Sequence, residues 1–116
     1  MYLLRTIPQG EEPGYVEAFF DGTHQGEMNF SVATRLRRSE ELRYVALVYR
    51  GRVWGRLRVL RTEEIDQPVA VGNVGNTVNA RTTVWVSCPG ESAGDRNIPR
   101  ESRRSVTYDP LPEWPE

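Results

Sequence analysis

The stretch from Arg43 to Arg61 constrains the fold more than any other part of this chain. Two runs rich in β-branched and aromatic residues, Arg43-Tyr-Val-Ala-Leu-Val-Tyr49 and Arg52-Val-Trp-Gly-Arg-Leu-Arg-Val-Leu-Arg61, flank the pair Arg50-Gly51. A two-residue connection of this kind needs positive φ, which Gly51 supplies without steric cost, so the segment reads as a β-hairpin. Strict alternation in the second strand assigns Val53, Gly55, Leu57 and Val59 to the core face and Arg52, Trp54, Arg56 and Arg58 to the opposite face. Gly55 inside a strand signals a bulge or the close approach of another backbone or a ligand, with barrel curvature an equal cause.

Further strands are expected around this hairpin. Thr77 to Ser87 is β-branched and closes at Pro89-Gly90; alternation places Val78, Ala80, Thr82, Val84 and Val86 inside and Asn79, Arg81, Thr83 and Trp85 outside. Tyr2 to Ile7 and Tyr15 to Asp21 read as shorter strands, the second ending at the turn pair Asp21-Gly22. Residues 28 to 42 alternate at Phe30, Val32, Thr34 and Leu36, which favours strand, although Val32, Leu36 and Ser39-Glu-Glu-Leu42 also suit a helix. Val69 to Asn76, containing Val-Gly-Asn twice, reads as a flexible loop. From Pro89 onward the chain is polar and holds five of the eight prolines. The expected organisation is therefore a core over residues 1–90 and a Pro-rich extension over 91–116, either a tail or a wrapping segment that adds a last strand at 103–108. Together these signals support a mainly β fold, a small closed or partly open β-barrel with at most one or two short helices.

For a length of 116 residues one domain is expected, with no second. No membrane span is expected: the longest apolar run, Tyr44 to Tyr49, is far short of the roughly 20 residues that cross a bilayer. Met1 to Ile7 runs into Pro8, Gly10, Glu11 and Glu12 rather than a longer apolar region, so no signal peptide and a cytoplasmic location are expected. The single cysteine, Cys88, agrees with a reducing compartment.

The net charge of −1 conceals a basic centre. Residues 1–34 carry −4, residues 35–61 hold nine Arg against two acids for +7, and residues 62–116 carry −4. Every Lys/Arg position is Arg, for which a GC-rich genome is a sufficient cause. Screening confines each patch to about 8 Å, so a basic centre can attract an anionic partner despite an acidic total. An Arg/Trp face suits phosphate contacts from guanidiniums and base stacking on indoles. The candidate nucleic-acid-binding residues are Arg35, Arg37, Arg52, Trp54, Arg56, Arg58, Arg81 and Trp85. The competing reading is structural: a strand Trp packed beneath a covering segment, with Arg stacked on it, and Arg38 paired with Glu40 and Glu41.

Catalysis has little footing. Pairing His24 with Cys88 needs a contact that no motif announces; zinc spacings and acidic calcium loops are missing. Gly72-Asn-Val-Gly75 lacks the Gly-Lys-Ser/Thr ending of a phosphate loop. No catalytic residue, metal or cofactor is expected, and Glu63, Glu64 and Asp66 read as a solvated turn or as partners of Arg61.

The opening Met1-Tyr-Leu-Leu-Arg5, the central Tyr44-Val-Ala-Leu-Val-Tyr-Arg-Gly-Arg-Val-Trp-Gly-Arg-Leu-Arg-Val59 and the closing Arg104-Ser-Val-Thr-Tyr108 with Asp109-Pro110 resemble the PUA-like superfamily, in particular its EVE and ASCH groups. The resemblance implies a small barrel that binds RNA or modified DNA, with an extruded base in an aromatic-lined pocket and basic residues on the backbone. Trp54, Arg56 and Trp85 are the matching positions here.

The expectation is thus a non-enzymatic nucleic-acid-recognition module, including the reading of a modified base. An alternative is a protein-interaction or self-assembly module that uses the same Arg/Trp face, with the Pro-rich ending and Trp114 as a matching peptide. A small-ligand or sugar-binding barrel is the third reading.

Overall fold

A computed structural model of the chain describes residues 2–37, 39–71, 76–101 and 106–114. It is mainly β. Six strands form one sheet: β1 (Tyr2–Thr6), β2 (Gly26–Val32), β3 (Tyr44–Tyr49), β4 (Arg52–Val71), β5 (Asn76–Ser92) and β6 (Val106–Asp109), in the order β2-β5-β4-β3-β1-β6. The sheet curls into a half-barrel whose edges, β2 and β6, do not pair. Among the described residues, β1 and β3 run parallel and the other pairings are antiparallel.

The central hairpin forms as its sequence requires. Arg50 and Gly51 both take positive φ, 51° and 80°, and Tyr49 faces Arg52 across the two-residue turn. The second hairpin is longer than the composition suggests. Val69, Ala70 and Val71 pair with Val78, Thr77 and Asn76, where a loop was expected, and Glu63, Glu64 and Asp66 lie within β4 and not in a turn. Val69, Val71, Thr77 and Val78 are β-branched, a residue type that favours extended backbone. The Gly72–Gly75 stretch lies outside the described residues. Past Glu64 and Thr82, β4 and β5 leave the sheet as a two-stranded ribbon, since β2 stops at Val32.

Tyr15 to Asp21 is not a strand. A five-residue helix α1 (Pro13–Glu17) begins with Pro at its first turn, and Phe20 and Asp21 continue with N–H bonds to the Glu17 carbonyl. Val16, Phe19 and Phe20 are spaced to put one helical face on the sheet, which overrides a β reading of the same aromatic residues. The turn at Asp21-Gly22 does form: Asp21 Oδ1 accepts from the Thr23 N–H at 2.9 Å, and Gly22 takes φ 92°. Strand β2 ends at Val32, and a 3₁₀ turn, Ser39–Glu41, follows the loop. Among the described residues, no helix is long and apolar enough to cross a membrane.

Both faces of the sheet are covered. The inner face packs Leu3, Val45, Leu47, Leu57, Val84 and Val86 against Val16, Phe19, Leu36 and Leu42. On the outer face, Tyr2, Leu4, Ala46, Val48 and Val53 lie under Ala93, Ile98, Leu111 and Trp114. The Pro-rich extension is therefore part of the core, and it contributes β6, antiparallel to β1. Residues 103–105 of the expected last strand lie outside the described residues.

Candidate functional site

The Arg/Trp stripe does not survive folding as one surface. Leu47 pairs with Gly55 and Val48 with Val53, which leaves Trp54 as the extra residue of a β-bulge. An inserted residue shifts the side-chain phase. Val53 therefore packs in the outer cluster while Leu57 packs in the inner one, and Trp54 packs against the inner cluster while Arg56 reaches the outer one. This corrects the two faces drawn by strict alternation. Gly55 has the close neighbours its position suggested: a Cβ there would collide with the Phe20 ring and sit 2.6 Å from the Glu91 carbonyl oxygen.

Arg56 is buried inside its own aromatic box. Its guanidinium carbon lies 4.1 Å from the Tyr44 ring centroid and 4.5 Å from that of Trp114. It donates to the Tyr2 hydroxyl and pairs with Glu91 at 3.2 Å. Burial works against the charge, yet the Tyr2 hydrogen bond and the Glu91 carboxylate outweigh it and raise the pKa. The Tyr2 hydroxyl in turn donates to the Trp114 carbonyl at 2.6 Å, so the C-terminal segment is tied to the first strand through this box. A residue read as a phosphate contact is thus engaged within the fold.

Trp85 stands on the outer face of β5, away from the C-terminal cover. Arg61 stacks on it at 4.3 Å and pairs with Glu27 at 3.1 Å, rather than with the acidic cluster that follows it. Its indole Nε1 is buried without a hydrogen-bond partner among the described residues. Arg81, on the ribbon, pairs with Asp66 at 3.3 Å. Arg58 is exposed on β4.

Arg35 and Arg37 occupy a different place. They lie on the loop after β2, which Thr82 anchors: its Oγ1 donates to the Thr34 carbonyl at 3.0 Å and accepts from the Leu36 N–H at 3.2 Å. This loop and β6 border a groove of about 770 Å³ at the unpaired side of the half-barrel, lined by Leu3, Leu36, Val106, Thr34, Thr107, Tyr108 and both arginines. Arg35, Arg37 and Arg58 have no carboxylate partner within 4.0 Å among the described residues.

A second, smaller cleft of about 330 Å³ lies at the start of β4, where Arg52 and Trp54 share it with Phe20, Glu17 and Asp21. The Trp54 Nε1–H donates to the Tyr49 carbonyl at 3.0 Å, and Arg52 lies 4.3 Å over the indole. Asp21 sits below its ordinary pKa because Thr23 donates to it from side chain and backbone.

Arg52 with Trp54, and Arg35 with Arg37, are therefore brought together in pairs, whereas Arg56, Arg58, Arg81 and Trp85 lie in separate surroundings. Sequence reasoning missed Glu91, Tyr2, Tyr108, Glu17 and Asp21. The last two carried a signal, since a spacing of four puts them on one side of a helical turn, but a strand reading hides it. Arg5 was also unassigned; it lies 4.4 Å over Phe30, and burial lowers its pKa against the opposing influence of Tyr15. Cys88 is buried and its thiol pKa is raised by desolvation, while His24 packs on the Phe19 ring at 5.2 Å.

No family model, no curated protein and no solved structure matches this chain.

Proposed function

We propose that this chain is a non-enzymatic nucleic-acid-binding module that takes phosphates on Arg35 and Arg37. The observation that carries the reading is the pairing of two guanidiniums, uncommitted to any described carboxylate, with one groove at the open side of the half-barrel. An unpaired Arg releases counterions from a phosphate without first losing an internal ion pair, and its planar fork matches the phosphate oxygens. The groove volume falls within the range of about 300–1,000 Å³ typical of ligand clefts. Thr34, Thr107 and Tyr108 line the same groove, and recognition of a modified base is the finer form of the same reading.

The protein-interaction alternative draws on the part of β4 and β5 beyond the C-terminal cover, where Leu60 is 43% exposed and Trp85 stands beside Arg61. Fluorescence anisotropy with labelled single- and double-stranded DNA and RNA separates the two. The nucleic-acid reading expects binding at 50 mM salt that weakens at least about sevenfold at 200 mM and is lost in Arg35→Glu/Arg37→Glu. Absence of binding in every pool, with elution above monomer mass, would favour self-assembly.

A further inference from the structure

The cleft between α1 and the β4 bulge is a second site, and it has a different chemistry from the groove. Its walls are built. Phe20 packs on Gly55, where a Cβ would strike its ring, and beside Gly90, where a Cβ would meet the Arg56 carbonyl and the Leu57 side chain; the Gly90 N–H is bonded to the Phe19 carbonyl at 2.9 Å. Trp54 is re-aimed by the bulge and held through its indole N–H, as strand bulges commonly re-aim residues beside binding sites. Two rigid aromatic walls thus bound about 330 Å³.

The charges in the cleft are opposite and unspent. Arg52 lines it together with Glu17 and Asp21, yet no carboxylate lies within 4.0 Å of Arg52. Stacking on Trp54 occupies the face of the guanidinium and leaves its N–H edge free for a bidentate anion. Asp21 uses one oxygen, Oδ1, on Thr23, so Oδ2 and the whole Glu17 carboxylate are open to donors. One guanidinium and two carboxylates around an aromatic slot complement a ligand with one anionic and two cationic groups on a short aliphatic stem.

We infer that this cleft binds a dibasic α-amino acid, with the ligand carboxylate on Arg52, its two cationic groups toward Glu17 and Asp21, and its stem between Phe20 and Trp54. The inference does not rest on nucleic-acid binding, which is assigned to the other groove.

Isothermal titration of the full chain with L-arginine, agmatine and L-citrulline tests it. Agmatine lacks the carboxylate, and citrulline replaces the side-chain cation by a neutral group of similar shape. L-arginine should bind about tenfold or more tighter than either, as expected for a lost charge-assisted contact. Arg52→Gln should abolish the preference over agmatine and leave the preference over citrulline. Glu17→Gln should reduce the preference over citrulline and leave that over agmatine. Both substitutions are at the surface of the cleft, and unchanged thermal melting verifies the fold. Equal affinity for the three compounds, no heat from L-arginine at about 10 mM, or a preference over agmatine that survives Arg52→Gln together with an undiminished preference over citrulline in Glu17→Gln would overturn the assignment.

Discussion

Arg56 and the pair Arg35/Arg37 come from the same block of positive charge and end in opposite surroundings. Arg56 is 8% exposed, ringed by Tyr2, Tyr44 and Trp114 and paired with Glu91. Arg35 and Arg37 are exposed beside a groove and meet no described carboxylate. A charge run in sequence therefore says how many guanidiniums a region holds, but long-range partners decide which ones are available. Glu91 lies 35 residues from Arg56 and Glu27 lies 34 from Arg61, so acids from both flanking segments neutralise part of the basic centre.

If the covered face is structural, damage to its lid should dominate every stability measurement. Trp114→Ala removes the indole that closes the Arg56 box and should cost about 3–5 kcal/mol, read as a fall in the denaturation midpoint. Gly55→Ala drives a methyl group into the Phe20 ring and a backbone carbonyl and should cost about 1–3 kcal/mol. Arg56→Gln keeps part of the stem but loses the Tyr2 and Glu91 contacts, at about 1–2 kcal/mol by the same assay.

The comparison can be sharpened by pH. Arg100 clamps the C-terminal segment through Asp109 at 3.0 Å and Glu113 at 2.9 Å. The hydrogen bond from Arg100 depresses the Glu113 pKa, so its contribution is present above the ordinary carboxylate range and is lost as pH falls through the folded-state value. Denaturation curves across pH 3 to 7 should show a shallower acid limb in Glu113→Gln than in the parent. The smallest effect on stability belongs to the groove. Arg35→Gln/Arg37→Gln should stay within about 0.5 kcal/mol of the parent, because neither side chain holds a described partner.

Local features of the chain were legible. Gly51 dictated the tight turn, and the alternation from Ala80 to Val86 placed the inward residues Ala80, Thr82, Val84 and Val86, all of them buried. What escaped sequence reasoning was non-local or context-driven. The bulge at Trp54 changes the phase of a strand for the sake of Phe20 and Gly55, which lie far apart in the chain. Trp114 reads as a tail residue until Tyr2 and Arg56 are beneath it. Phe19 and Phe20 look like strand residues, and only Pro13 and the spacing from Val16 hint at a helical turn. The groove was half visible, as a pair of arginines without the β6 residues that face them.

The salt dependence of nucleic-acid affinity tests the central claim most directly. Plotting log K against log salt for the parent and for Arg35→Gln/Arg37→Gln, the account predicts a slope shallower by about 1.4 to 1.8 in the variant, the share of two phosphate contacts. An unchanged slope and affinity in a variant that melts like the parent would contradict it.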